Sequence, residues 1–140
     1  SHNFDDPRVL ERVKNSQSVL TIHGFREGTE IIYLGGLDQT FKYYIAKALH
    51  EEGFLVKRSN KYKGSHVNNI CNRGKRGMGV QIEISTGLRK QFFKDLRTFQ
   101  GRKEKLPLFF KFVNSLRSGI NRFKEMDNPE FVESTPAIKN

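Results

Sequence analysis

Residues 79–85, Gly79-Val80-Gln81-Ile82-Glu83-Ile84-Ser85, alternate between apolar and polar side chains. This period of two is typical of a β-strand that has one apolar face and one polar face. A central strand of a covered sheet is buried on both faces, so a carboxylate such as Glu83 must be paired, bound to a metal or placed in a cleft. The alternative is an edge strand whose polar face is solvated.

The rest of the chain alternates between short β-type runs and longer segments with helical spacing. Three further strands are predicted, at 18–22, 30–34 and 54–56. Helix-start signals at Asp6-Pro7, Asp38, Thr86 and Pro107 predict four helices, with a charged break at 101–105. Strands that alternate with helices predict an α/β fold, a mixed or mainly parallel sheet with helices on both faces.

Composition limits the class of protein. With 140 residues and 36% hydrophobic side chains, we expect a single domain over 1–126 and a loose tail over 127–140. No apolar run of about 18 residues is present, which excludes a helical membrane span. Cys71 is the only cysteine, so no intramolecular disulfide forms. We also expect the protein to be a monomer. Residues 1–7 are polar and acidic, so no signal peptide is visible, and the localisation is left open.

The charge of +10 is concentrated in one part of the chain. Residues 57–76, which we call the basic segment, contain seven basic residues and no acidic one: Lys57, Arg58, Lys61, Lys63, Arg73, Lys75 and Arg76. Such a cluster favours a polyanionic partner, either an acidic polymer or nucleic acid. Nucleic-acid binding normally interleaves aromatic residues with the charges, and Tyr62 is the only Phe, Tyr or Trp of this segment. An acidic polymer is therefore favoured, and a solvated loop is the neutral alternative.

His23 and Asn72-Arg73 are further candidates for chemistry. His23 follows an apolar strand and precedes Gly24, which suits a neutral imidazole that binds zinc while a substrate approaches closely. A histidine bonded to a nearby carbonyl is the alternative. Arg73 offers a planar fork that matches a carboxylate, and Asn72 adds an amide donor. With Arg76 they form the candidate substrate-binding set.

Several blocks in a fixed order resemble the poly-γ-glutamate hydrolases of phages and Bacillus. The resemblance covers roughly residues 1–95, and these blocks carry it: Ser1-His2-Asn3-Phe4-Asp5-Asp6-Pro7, Val19-Leu20-Thr21-Ile22-His23-Gly24, Gly35-Gly36-Leu37-Asp38, Asn69-Ile70-Cys71-Asn72-Arg73-Gly74, Gly79–Ser85 and Leu88-Arg89. It implies a zinc-carboxypeptidase-like sandwich with a mixed sheet between helices.

The resemblance also implies roles for single residues. His23 matches a zinc ligand, and Glu83 matches the catalytic general base of the carboxypeptidases. Asn72 and Arg73 match a family pair suited to holding a substrate carboxylate. The family's first two zinc ligands lie in a His-x-Gly-Gly-Ile-Glu segment upstream of the Phe-Asp-acid-Pro block, and nothing like it is present here. We therefore expect the chain to lack an N-terminal portion of the family domain, with the remaining zinc ligands upstream of residue 1.

Together these features predict a zinc-dependent peptidase that hydrolyses the γ-glutamyl amide bonds of poly-γ-glutamate. If the substrate is a capsule polymer, the resemblance implies action outside the cell. Two alternatives stay open. One is an amidase acting on another γ-glutamyl or cell-wall peptide, and the other is a non-catalytic module that binds polyanions, such as nucleic acid.

Overall fold

The computed structural model describes residues 5–127, which form four strands and five α-helices. In chain order these are α1 (Pro7–Asn15), β1 (Leu20–Phe25), β2 (Ile32–Gly35), α2 (Gln39–Glu51), β3 (Val56–Arg58), β4 (Val80–Ser85), α3 (Thr86–Phe92), α4 (Phe99–Lys103) and α5 (Pro107–Met126). A short 3-10 turn, Ile70–Asn72, precedes β4. The predicted tail lies outside the described residues, apart from Asp127, which caps α5.

The four strands form one mixed sheet in the order β1-β4-β2-β3. β1 runs parallel to β4 and β2 runs parallel to β3, whereas β2 and β4 are antiparallel. The strand predicted from the alternation of residues 79–85 is therefore a central one, and its six residues Val80–Ser85 are all buried. This arrangement confirms the predicted α/β fold with a mixed sheet.

One face of the sheet, the helix face, packs against α2, α3 and α5. Ile32, Leu34 and Ile82 lie in the main core with the apolar stripes of these helices. Phe41 of α2 stacks on Phe123 of α5, with ring centroids 4.4 Å apart. The four predicted helices α1, α2, α3 and α5 begin where the sequence predicts. In α2, for example, the Asp38 carboxylate caps the helix by accepting a hydrogen bond from Phe41 N at 2.9 Å.

The other face, the polar face, is covered mainly by irregular chain, where the sequence had predicted helices. The carbonyl oxygens of Tyr62 and Lys63 pack directly on Gly35, and Gly64 packs on the side chain of Gln81. Beyond the strands, α1 packs with the 3-10 turn through Val13, Val19 and Ile70 in a second, small core. The basic segment therefore packs against the polar face of the sheet, through contacts of its backbone at residues 62–64.

Several boundaries differ from the predictions, among them that of β3, which covers Val56–Arg58 where a strand over 54–56 was predicted. β1 extends through Phe25, so His23 lies within the strand and does not end it, because the residues after Ile22 continue to pair with β4. α3 ends at Phe92 after seven residues, because Phe93 pairs with Lys105 in an isolated bridge. The predicted break contains most of α4, whose first turn is capped by Thr98, which accepts from Gly101 N at 3.0 Å.

No helix within residues 5–127 combines the length and the hydrophobicity needed to cross a bilayer.

Candidate active site on the polar face

His23 and Glu83 lie abreast on neighbouring parallel strands. The strand register pairs His23 of β1 with Glu83 of β4, which places both side chains on the polar face. Glu83 is only 7% exposed and His23 is partly buried. The structure thus brings together the predicted general base and the predicted zinc ligand.

A chain of side-chain hydrogen bonds orients the Glu83 carboxylate. Asn69 Nδ2 donates to Gln81 Oε1 at 2.9 Å, and Gln81 Nε2 donates to Glu83 Oε1 at 3.1 Å. All three residues are buried. Burial raises the pKa of Glu83 above its usual range, because a low-dielectric site disfavours the charged form. A carboxylate with a raised pKa is closer to the range that suits a general base near neutral pH.

His23 has a ring nitrogen without a protein partner. Its Nε2 atom is buried and accepts or donates no hydrogen bond among the described residues, and the same holds for Oγ1 of Thr21 on the same face of β1. Burial lowers the pKa of His23, which favours the neutral imidazole that a metal requires. Leaving such atoms unsatisfied costs free energy, so this part of the face is suited to an additional polar group.

These residues fit part of a zinc site. His23 supplies one nitrogen ligand and Glu83 a neighbouring carboxylate, but no group of three or more His, Cys, Asp or Glu side chains able to hold a metal occurs within residues 5–127. Catalytic zinc normally has about three protein ligands. The described residues therefore supply one histidine ligand and a neighbouring carboxylate of such a site, and not a complete set of ligands.

Two further strands extend the row formed by His23 and Glu83. Tyr33 of β2 pairs with Glu83, and Lys57 of β3 pairs with Tyr33, so the four side chains lie abreast across the polar face. The Tyr33 ring lies 5.3 Å from that of Phe25 and 6.4 Å from that of Tyr62. The rings of Phe25, Tyr33 and Tyr62 therefore form an aromatic cluster, the aromatic wall, on the face of the Glu83 carboxylate. Lys57 lies at the end of the row.

Asn72 is buried beneath the basic segment, where its amide is fully engaged. Its Nδ2 donates to the carbonyls of Gly64 at 2.7 Å and His66 at 3.0 Å, and its Oδ1 accepts from Leu37 N at 3.2 Å and Gly79 N at 3.1 Å. No donor is left over for a substrate carboxylate. Asn72 therefore holds the loop and the start of β4 in place, and its substrate-binding role stays a prediction.

Arg76 is also engaged within the protein. Its guanidinium lies 3.2 Å from Asp38 and 3.4 Å from Asp127, and it stacks over the ring of Phe123 at 5.1 Å. These partners lie near the starts of β1 and β4, whereas Glu83 is the fourth residue of β4. The substrate contact predicted for Arg76 therefore has no support in its position.

Arg73 donates from Nε to the carbonyl of Asn68 at 2.8 Å. That bond fixes one edge of its guanidinium within the loop. Its substrate-binding role stays a prediction.

Gly24 lies against a side chain of the protein itself. A Cβ at this position would lie 2.7 Å from the guanidinium carbon of Arg89. Arg89 in turn donates to the carbonyls of Phe25 and Ile84, both at 3.2 Å, which fastens α3 to the ends of β1 and β4. The glycine thus makes room for the partly buried side chain of Arg89.

Sequence reasoning missed Tyr33, Asn69 and Gln81 as parts of the site. The period of two did place Gln81 on the same face as Glu83, so its proximity was readable. The contributions of Tyr33 and Asn69 depend on the antiparallel pairing of β2 with β4 and on the path of the loop. Neither has a local signature in the sequence.

The mixed sheet and its helices match the folds of two solved structures. The structure of a bacteriophage poly-γ-glutamate hydrolase superposes with a TM-score of 0.86 at 22% identity, covering 90% of this chain and 62% of that one. A zinc-free apo structure of YndL gives a TM-score of 0.79 at 30% identity, covering 91% of this chain and 62% of that one.

The sequence model of the poly-γ-glutamate hydrolase family matches residues 1–115, and the chain belongs to this family. Among curated relatives from Bacillus subtilis (strain 168), the UPF0714 protein YndL is 36% identical over 96 residues, 66% of this chain and 38% of YndL. The UPF0714 protein YmaC is 29% identical over 125 residues, 87% of this chain and 53% of YmaC. The chain thus spans about half the length, or less, of these relatives.

Proposed function

We propose that this chain carries part of a zinc-dependent active site that hydrolyses γ-glutamyl amide bonds in poly-γ-glutamate. The observation that carries the proposal is the pairing of His23 with Glu83, in which a neutral imidazole with an unpartnered Nε2 lies beside a buried, oriented carboxylate. Membership of the family supplies the substrate class. The solved structure of YndL in a zinc-free apo form adds support for zinc as the metal.

The residues divide the chemistry between them. Zinc, when bound, acts as a Lewis acid and lowers the pKa of water. His23 Nε2 holds it in the proposed site, with the other ligands contributed from outside residues 5–127. Glu83 accepts a proton from the attacking water and then donates it to the leaving amine nitrogen, the two roles of a general acid–base residue. Gln81 and Asn69 keep the carboxylate aimed, and the Tyr33 wall limits access of bulk water.

The basic segment supports an anionic substrate. Lys57 ends the row that contains His23 and Glu83, so positive charge lies on the face where the reaction is proposed. Charge of one sign along a cleft raises the local concentration of an oppositely charged substrate. In poly-γ-glutamate every repeat carries one free carboxylate. We further propose that the protein acts as a monomer on a capsule polymer outside the cell.

Zinc binding and polymer cleavage test the proposal separately. In protein that also carries the proposed remaining ligands, titration calorimetry with ZnCl2 should show binding that is weakened at least tenfold by His23→Ala. Each cleavage of poly-γ-glutamate exposes one new primary amine, so amine release with zinc and its loss with a chelator report hydrolysis. Cleavage that survives chelation would contradict the metal's role, and no cleavage by the zinc-loaded protein would contradict hydrolysis by this chain.

A further inference from the structure

A second basic site lies on the helix face, at the far edge of the sheet from His23. A cavity of about 260 Å³ opens between α2 and β3, and we call it the α2–β3 pocket. Its apolar lining includes Leu34 and Val56, its cations are Lys42 and Arg58, and Lys57 borders it. β1 and β3 are three strand spacings apart, about 14 Å, so this pocket is separate from the His23–Glu83 pair.

The lining of the pocket carries more positive than negative charge. None of the described residues lining it is acidic, and neither Lys57 nor Arg58 forms an ion pair within residues 5–127. Lys42 Nζ donates to the carbonyl of Gly36 at 2.7 Å, which holds its ammonium just beyond the end of β2. Burial, and then the nearby Arg58, lower the pKa of Lys42, although the Asp38 carboxylate opposes this shift. An anion placed between Lys42 and Arg58 would relieve their repulsion.

The strand β3 connects this pocket to the polar face. Because adjacent strand residues point to opposite faces, Lys57 projects to the face of His23 and Glu83, whereas Arg58 projects to the helix face abreast of Leu34. A short path of positive charge therefore runs around the edge of the sheet. The apolar floor suits the methylene groups between successive carboxylates of a flexible acidic chain, and the half-exposed Tyr43 adds a wall.

We propose that the α2–β3 pocket is a second binding site for an acidic polymer, in which Arg58 and Lys42 hold a carboxylate at a distance from the hydrolytic centre. The identity of the polymer as poly-γ-glutamate rests on the function proposed above. Arg58 supplies the planar fork for bidentate contact, and Lys42 supplies a fixed point charge. The site would keep hold of the polymer between successive cleavages.

The test measures binding without cleavage. Fluorescence anisotropy of labelled poly-γ-glutamate, recorded with a chelator present, compares the wild type with Arg58→Gln and Lys42→Met. Arg58→Gln removes the charge of an exposed side chain and changes no buried residue. The matched control is Arg117→Gln, which removes the same charge from an exposed arginine of α5 that has no ion pair among the described residues. Circular dichroism confirms that each variant is folded.

We expect Arg58→Gln and Lys42→Met each to weaken polymer binding about tenfold, as loss of a charge-assisted contact does, and Arg117→Gln less than twofold. Arg58→Lys should recover only part of the affinity, since it keeps the charge but loses the fork. Equal affinities for Arg58→Gln and Arg117→Gln would overturn the pocket. So would a loss confined to an oligonucleotide of similar charge, which would assign the pocket to nucleic acid.

The two proposals fail in different measurements. If the polymer binds through Arg58 but the zinc-loaded protein releases no amines, the second site stands and the hydrolase proposal falls. If amines are released and Arg58→Gln binds the polymer as the wild type does, the hydrolase stands and the second site falls.

Discussion

The two faces of the sheet are built from the same strands and packed in different ways. On the helix face, Ile82 and Leu34 meet the apolar stripes of α2 and α5, and burial of hydrocarbon holds the layers together. On the polar face, Glu83 and Gln81 meet a loop that is held by hydrogen bonds and by glycines that let backbone touch backbone. The helix face therefore supplies most of the stability through apolar packing. The polar face keeps buried polar groups that could take part in chemistry and that an apolar core would exclude.

The largest effect should come from changing the base on the polar face. In zinc-loaded protein that cleaves poly-γ-glutamate, Glu83→Gln should lower kcat by about two to four orders of magnitude, since it keeps the shape and removes the proton acceptor. Amine release under saturating polymer measures kcat. Glu125→Gln, which removes an exposed carboxylate from the last turn of α5, is the control. Turnover near the wild-type value in Glu83→Gln would move the base to another residue.

Next in size is a cavity on the helix face. Ile82→Ala should lower the free energy of unfolding by about 2–5 kcal/mol, because Ile82 is fully buried in the main core. Ile22 lies abreast of it on β1 and on the same face, but is 52% exposed. Ile22→Ala should therefore cost less than about 1 kcal/mol. Urea denaturation measures both, and equal losses would show that the helix face is not the main source of stability.

Loss of the loop anchor tests the hydrogen-bonded layer. Asn72→Ala leaves two backbone amides and two carbonyls without their partner, so we expect a loss of about 3 kcal/mol in the free energy of unfolding. Trypsin should also cleave the basic segment sooner. Asn60→Ala, an exposed change in the same segment, should be within about 0.5 kcal/mol of the wild type. If both variants behave alike, Asn72 does not anchor the loop.

The sequence predicted the helix face better than the polar face, for a physical reason. Periods of two and 3.6 record which side chains are buried, so β4, α2 and the start of α5 were found with their inward residues. Sequence periodicity does not reveal which strands pair or in which register. The proximity of His23 and Glu83 was predicted only from the resemblance to the family. The contacts of Asn72 and Arg76 were missed because an Asn or an Arg in a glycine-rich loop has the same local pattern whether it binds a ligand or its own backbone. Extension of β1 past His23 depended on pairing with β4, which only the fold reveals.

Close contact of backbones on the polar face gives a smaller, steric prediction. A Cβ on Gly35 would lie 2.5 Å from the carbonyl oxygens of both Tyr62 and Lys63, so Gly35→Ala must push the loop outward. We expect a cost of about 1–3 kcal/mol in the free energy of unfolding, as for other overpacked sites. Gly28→Ala meets nothing within 4 Å and is the control, with an effect near zero or slightly stabilising. A neutral Gly35→Ala would mean that the loop is not seated on the sheet.

The smallest effect concerns the thiol under the same loop. Cys71 is fully buried, and burial raises its pKa to about 11, above the value of about 8.5 that a free cysteine has in an unfolded chain. A folded-state pKa above the unfolded one favours the protonated thiol, so its stabilising contribution is complete below pH 8.5 and is lost as the pH rises towards 11. Between pH 8 and pH 10 the wild type should therefore lose about 1–2 kcal/mol more stability than Cys71→Ala, whose other titrating groups are the same. Urea titrations of both proteins at the two pH values give this difference directly.

In the folded wild type, reaction of Cys71 with a thiol reagent at pH 8 should also be far slower than in urea, because the thiolate is scarce and the sulfur is buried. Equal pH dependence of the two proteins, together with rapid labelling of the native state, would show that the loop does not seal this side of the sheet.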